Sequence, residues 1–372
     1  MATVTAVLAS VLLATSPAWA QMVAQALDAT ENKDFPKALG ILRPLAEQGN
    51  PEAQYNLGVM YWDGRQGVPQ SYSEAFEWFR KAGTQGFVEA QDRVAQMYFV
   101  GQGIAQDYKE AANWYRRAAD QGLNRAQFNL GTMYVFGQGV ARNYAEAAVW
   151  FREAGAQGYA PAQHNLGIAT REGQGVAQDY AEAFAWFLKA AQQGHVEAQF
   201  NVAYSYASGQ GVPKDAAEAL KWYRLAADQE YPPAQLNLGA LYALGQGVPK
   251  DYGQAVEWYR KAAELGLSQA QDGLRSLAGA GFAPAQNALG LTYENGWGTI
   301  PIDAEAVRWY RLAAQQNFAQ AQFNLGRMYA GGRGVVKSEA EALKWFSAAA
   351  EQGDADARAR IRVQVNELGA KP

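Results

Sequence analysis

A tryptophan followed by a second aromatic residue recurs along the chain: Trp78-Phe79, Trp114-Tyr115, Trp150-Phe151, Trp186-Phe187, Trp222-Tyr223, Trp258-Tyr259, Trp309-Tyr310 and Trp345-Phe346. The first five steps are 36 residues each, the sixth is 51 and the last is 36 again. A fixed period of this length marks a solenoid, in which each unit buries its apolar face only against its neighbours. The eight units, first to eighth in the order of these pairs, therefore predict an all-α array. Such arrays mostly hold other molecules on a long surface.

Within the first unit, Asn50 to Gly86, a helix is expected from Pro51, with Ala53, Leu57 and Tyr61 on one face at i, i+4 and i+8. Gly58 follows Leu57, and its counterparts Ala95, Gly131, Gly167, Ala203, Gly239, Gly290 and Gly326 are all small. That column lets helix backbones approach closely, against a propensity cost of about 1 kcal/mol for Gly over Ala. A glycine pair should end this helix, as in Gly101-Gln102-Gly103 and Gly137-Gln138-Gly139. These pairs lack the Lys-Ser/Thr ending and preceding strand of a phosphate loop, and read as positive-φ turn residues.

A second helix then opens on Ser71-x-x-Glu74, Asp107-x-x-Glu110, Asn143-x-x-Glu146, Asp179-x-x-Glu182, Asp215-x-x-Glu218, Asp251-x-x-Gln254 and Ser338-x-x-Glu341. This is the spacing of a capping box, and Ile302 breaks the series. Recurrence reads these acids as caps rather than catalytic carboxylates. Ala111, Trp114, Tyr115, Ala118 and Ala119 give the helix a buried face, and Gly122 closes it. An isolated unit falls below the ~40 residues at which a chain usually folds unaided, so stability must come from stacking.

The recurring Ala-Gln-x-Asn-Leu-Gly-x-x-Tyr, Gly-x-Gly-Val, Asp-Tyr-x-x-Ala and Trp-Tyr-x-x-Ala-Ala-x-x-Gly strings resemble Sel1-like repeats, relatives of tetratricopeptide repeats. Residues 122–158 carry the pattern nearly in full: Ala126-Gln127, Asn129-Leu130-Gly131, Tyr134, Gly137-Gln138-Gly139-Val140 and Trp150-Phe151. The likeness covers roughly residues 34–358. It implies a right-handed superhelical solenoid of antiparallel helix pairs that acts as an adaptor in protein assembly or signalling. Bacterial members are often exported, and one cysteine-rich exported branch has been linked to β-lactam binding. This chain has no cysteine.

Departures from the period set the expected organisation. Residues 21–49 should form amino-terminal capping helices, 50–266 six repeats, 283–353 two more, and 354–372 a capping helix bearing Arg358, Arg360 and Arg362. Ala270-Gln271 and Ala285-Gln286 lie only 15 residues apart, so residues 267–282 are a truncated repeat lacking the glycine turn and the Trp helix. That seam reads equally as a functional bend or a tolerated deletion.

Residues 1–20 differ from the rest. Val4 to Thr15 is an uncharged apolar run, too short for the ~20 residues that span a bilayer. Ala18-Trp19-Ala20 follows as a signal-peptidase site, with no Lys or Arg ahead of the run. The expectation is a cleaved export signal, a mature chain from Gln21, a periplasmic or secreted protein, and no integral membrane segment after cleavage.

A formal net charge of −4 gives no nucleic-acid footprint. Missing cysteine excludes disulfides, thiol nucleophiles and Cys-ligated zinc. No hydrolase, metalloprotease, Walker or EF-hand pattern occurs. The two histidines, His164 and His195, fall where other units carry unrelated residues, which disfavours a shared metal site. No catalytic residue and no cofactor is expected.

The variable columns of the first helices are the better candidates. Opposite the Ala-Leu-Tyr stripe they place Tyr55 and Trp62, then Phe99, then Phe128 and Phe136, then Phe200 and Tyr204 on one face. By the tetratricopeptide resemblance this face lines a concave groove for a protein or peptide partner. Alternatively, several of these rings pack between neighbouring helices. The expected function is thus a non-enzymatic scaffold. A cell-wall- or β-lactam-acting enzyme and a structural envelope subunit are its rivals.

Overall fold

The computed structural model describes residues 17–64 and 67–369, with side chains as far as residue 362. The apolar run Val4 to Thr15 lies outside the described residues. Among the described residues there are twenty helices and no strand. The chain divides into two compact bodies, Met1–Ala190 and Ala191–Pro372.

In the first body the pairs Pro51–Asp63 with Tyr72–Thr84, Val88–Val100 with Tyr108–Asp120, and Asn124–Phe136 with Tyr144–Ala156 follow two helices, Pro17–Glu31 and Phe35–Glu47. The helix Pro17–Glu31 runs through Ala18-Trp19-Ala20 and buries Val23, Ala26 and Ala29 in the same cluster as Ala38 and Leu42. All of these buried residues follow Gln21. In the second body Val196–Ser208 pairs with Ala216–Ala227, and Pro232–Leu244 with Tyr252–Glu264. Beyond the seam, Ala283–Asn295 pairs with Asp303–Gln315 and Ala319–Gly331 with Glu339–Glu351, before a last helix Ala355–Gly369.

Local chemistry makes each pair antiparallel. Asp107 caps its helix by accepting from the Lys109 and Glu110 amides at 2.9 and 3.0 Å, and Asn143 does the same for Ala145 and Glu146. The cap residue's own N–H, which a full capping box would give to the glutamate, is donated to the first helix: Asp107 N to Tyr98 O at 2.9 Å and Asn143 N to Tyr134 O at 3.0 Å. Ile302 lacks a capping side chain yet keeps this bond, to Tyr293 O at 2.8 Å. The turn glycines hold positive φ, 69° at both Gly137 and Gly139. Gly139 also lies against the preceding unit, where an added methyl would stand 2.0 Å from the Tyr108 carbonyl oxygen.

The small column of the first helix receives an aromatic ring. A methyl on Gly131 would lie 2.8 Å from the Phe151 ring, and one on Gly167 2.6 Å from Phe187. The second aromatic of every pair is therefore buried, as Phe79, Phe151, Phe187, Tyr223, Tyr310 and Phe346 show, and it is the deeper of the two except at Trp258-Tyr259, where both rings are covered. Most of the tryptophans, Trp186 included, are only half-buried. Basic residues often cover them, such as Lys189 at 4.0 Å from the Trp186 ring.

Stacking adds a polar ladder. The glutamine of the repeats' Ala-Gln dipeptides donates to a carbonyl in the last turn of the preceding helix, as Gln91 Nε2 to Gly83 O at 3.0 Å and Gln127 Nε2 to Ala119 O at 3.2 Å, whereas Gln271 at the seam donates to Trp297 O at 3.0 Å. Its oxygen accepts from a glutamine about 30 residues on, as Gln91 from Gln121 at 2.7 Å and Gln127 from Gln157 at 2.9 Å. In the second body Gln199, Gln286 and Gln322 accept in the same way from Gln229, Gln316 and Gln352. Buried amides that both donate and accept have little desolvation left uncompensated.

At the seam a single helix, Ala270–Gly279, serves for two. Its Ala270, Gln271 and Leu274 are buried like a first helix, and its Ala278 carbonyl receives Gln286 Nε2 at 3.1 Å as a second helix would. Gly273 lies against the Tyr259 ring, where a methyl would stand 2.6 Å away.

Candidate binding face

Most of the rings expected on the face of the first helices pack onto the second helices. Tyr55 meets Phe79 and Phe87 with centroids 5.5 and 5.1 Å apart, and Phe128 meets Phe151 and Tyr159 at 5.9 and 5.5 Å. In the second body Phe200 meets Tyr223 and Tyr231 at 5.6 and 5.5 Å. Trp62 stands edge-on to Tyr72 at 5.0 Å, and Phe99 repeats that contact with Tyr108 at 5.2 Å. All five are half-buried. Phe136 and Tyr204 reach solvent, at 69% and 42% exposed. The structure thus gathers the candidates into local ring clusters, and two of them project.

Beside Phe136 the first body opens a cavity of about 200 Å³ between Asn124–Phe136, Tyr144–Ala156 and Ala160–Glu172. Thr132, Val135, Phe136, Tyr144, Phe151 and Ile168 contribute to its walls. Large exposed apolar side chains beside an apolar recess are the usual ingredients of a protein-binding anchor site.

The histidines have local partners. The His164 ring lies 5.8 Å from Phe187. His195 starts the helix Val196–Ser208, its Nδ1 3.3 Å from the Glu197 carboxylate, and burial pulls its pKa down against the pull of Glu197. Among the described residues no three His, Asp or Glu side chains are grouped to hold a metal ion. No described helix is long and apolar enough to cross a membrane.

Two buried charges were not singled out from sequence. Asp92, 2% exposed, stands in the column of Tyr55 and Phe128 and takes a hydrogen bond from Arg125. Burial pushes its carboxyl above the ordinary range, and Arg125 opposes that push. Glu294, in the column of Trp62 and Phe99, is buried and accepts from Tyr310 Oη at 2.6 Å, Arg327 Nη2 at 2.7 Å and Arg333 Nη1 at 2.9 Å. Burial, reinforced by the bond to Glu294, raises the Tyr310 hydroxyl well above its usual value and keeps it a donor. Arg333 also grips Asp303 through two nitrogens, at 2.7 and 3.2 Å. The signal available was a carboxylate in a column that holds Tyr55, Phe128 and Phe200 for Asp92, and in one that holds Trp62 and Phe99 for Glu294. The recurrent asparagines behave as structural groups: Asn56, Asn201 and Asn237 each donate to the carbonyl four residues back at 2.8 Å.

Comparison with known proteins matches this architecture. The Sel1 repeat family matches residues 51–87, 88–123, 124–159, 160–195, 196–231, 232–267, 283–318 and 319–354. Among solved structures, c5321, a protective antigen of uropathogenic Escherichia coli strains displaying an SLR fold, is 36% identical with a TM-score of 0.63, over 89% of this chain and 68% of that one. A Sel1 repeat protein from Oxalobacter formigenes is 32% identical with a TM-score of 0.53, over 87% of this chain and 89% of its own. No curated protein matches the chain. Eight matched repeats on more than half of the residues, with the turn glycines, ring sockets and helix pairs they require, establish that the chain belongs to the Sel1 repeat family.

Proposed function

We propose that this chain is an exported, periplasmic or secreted scaffold that binds a protein or peptide along the face of its first helices. Sel1 repeat proteins are generally protein-interaction scaffolds without catalytic activity. The observation that carries the reading is Phe136, 69% exposed beside an apolar recess. Burying such a ring contributes ~1.5–3 kcal/mol, which is about tenfold or more in affinity.

The test starts with a partner recovered by crosslinking in the native host. Phe136→Ala and Tyr204→Ala should each weaken its binding at least tenfold, with circular dichroism unchanged. A partner held equally well by both variants would place the binding surface elsewhere. Export is tested separately. The mature protein should begin at Gln21 in the periplasm or medium, and soluble cytosolic protein with Met1 intact would refute it.

A further inference from the structure

The recess beside Phe136 has a counterpart in the first unit, and there the chain fills it. Trp62 stands 5.0 Å from Tyr72 and 6.5 Å from Phe79, with the Arg93 guanidinium 5.9 Å from its ring. In the second unit Phe99 takes the same place, against Tyr108 at 5.2 Å. Counted from the Ala of each Ala-Gln dipeptide, the equivalents of Trp62 and Arg93 two units on are Val135 and Asn165. Counted from Trp78 and Trp150, the equivalents of Tyr72 and Phe79 are Tyr144 and Phe151, the turn of the first unit being one residue longer. All four line the cavity of about 200 Å³. The aromatic ring is missing, while the tyrosine, phenylalanine and neighbouring helix that enclose it elsewhere remain.

No residue that lines the cavity is charged. Outside this lining the exposed Arg142 holds its guanidinium 5.9 Å from the ring of the lining Tyr144 and pairs with no carboxylate among the described residues. We propose that this cavity is the seat for an aromatic side chain of the partner, flanked on its own chain by a carboxylate that meets Arg142. The inference rests on the scaffold reading above and gives its partner a chemistry. The incoming ring completes the edge-on contact with Tyr144 that Trp62 and Phe99 make with Tyr72 and Tyr108. Such aromatic pairs prefer this arrangement at 4.5–7 Å, beyond what area alone contributes. The Arg142–carboxylate contact sets the partner's orientation.

Two capped dipeptides serve as probes, N-acetyl-aspartyl-phenylalaninamide and its aspartyl-leucine analogue, with lysyl-phenylalanine as the charge control. Binding is followed by NMR shifts of the Val135 and Ile168 methyl groups. The intact protein should bind the aspartyl-phenylalanine probe at least threefold more tightly than either analogue. Val135→Phe should supply the missing ring from within and weaken that probe at least tenfold, with an unchanged or higher melting temperature. Arg142→Gln, at an exposed position, should abolish the preference for aspartyl over lysyl and leave phenylalanine favoured over leucine. Equal binding of phenylalanine and leucine probes, or a folded Val135→Phe variant that binds like the parent, overturns the assignment. If Val135→Phe fails to fold, an unchanged aspartyl preference in Arg142→Gln overturns it instead. A native partner that Val135→Phe still holds would sink this seat but not the scaffold reading. Failure of the parent protein to hold any partner would sink the scaffold reading, while the dipeptides still report on the cavity.

Discussion

Phe187 and Trp186 are neighbours in sequence, yet their truncations should differ sharply. Phe187 is 1% exposed and its ring fills the socket made by Gly167, where an added methyl would lie 2.6 Å away. Phe187→Ala loses ~1.5–3 kcal/mol of transfer free energy. A ring-sized void adds to it, and such changes total ~3–5 kcal/mol. Trp186 is half-buried, its Nε1 bonded to Glu182 Oε1 at 3.2 Å and its ring under Lys189. With roughly half its surface already wet, Trp186→Ala should cost about 1.5–2.5 kcal/mol. Because a repeat array can unfold in parts, hydrogen exchange of the amides in 160–190 is the better measure, with urea denaturation as a check. Gly167→Ala supplies a second handle. Alone it drives a methyl into the Phe187 ring and destabilises. In the Phe187→Ala background it becomes neutral or favourable by ~1 kcal/mol, because Ala is the better helix former. Equal losses at Trp186 and Phe187, or additive effects of the Gly167 and Phe187 changes, would refute the ring-socket account.

Other consequences follow from the irregular positions. Gln235 Oε1 is buried without a partner because Leu265 occupies the place of the next ladder glutamine. Leu265→Gln should therefore raise stability by ~1 kcal/mol in denaturant titration, and a loss would contradict the ladder. The Asp92 carboxyl has its folded pKa raised by burial, so its contribution is present below the unfolded value and lost as pH rises through the folded one. Asp92→Asn should accordingly gain on the parent as pH goes from about 4 to 7, and parallel pH dependences would count against a net raised value. Glu294→Gln removes the buried charge that meets the partly exposed Arg327 and Arg333 and should cost about 1.5–3 kcal/mol by urea denaturation. A change below ~1 kcal/mol would mean that water already screens that cluster.

The fold was largely legible because its signals repeat. Spacing of the Trp pairs, caps such as Asp107 and Asn143, and turn glycines such as Gly137 each reflect a local backbone need, and local needs are written in local residues. The depth of the aromatics was not. Trp186 and Phe187 sit side by side on one helix face, and only the glycine at position 167 on the other helix decides which ring goes in. The glutamine ladder was also hidden, since Gln91 and Gln121 each look like an ordinary surface amide until stacking brings them within 2.7 Å. The candidate face was legible as a set of columns, but exposure within it depends on partners across the pair. Tyr72, Tyr108, Tyr144, Tyr180 and Tyr252 recur just after the caps, and matching them with Trp62, Phe99, Val135, Arg171 and Ala243 shows that the ring is absent from the third unit on, but which absence leaves a cavity depends on the packing.

The most direct test of the central claim compares first-helix positions with second-helix positions within each body. A photo-crosslinking amino acid is placed singly at Phe136 and Tyr204 on the first helices, and at Val149 and Leu225 on exposed positions of the second helices. After irradiation in the native host, one protein partner should join at positions 136 and 204 and be absent at 149 and 225. Crosslinks confined to 149 and 225, or no protein crosslink at 136 and 204, would contradict a scaffold that binds along its first helices.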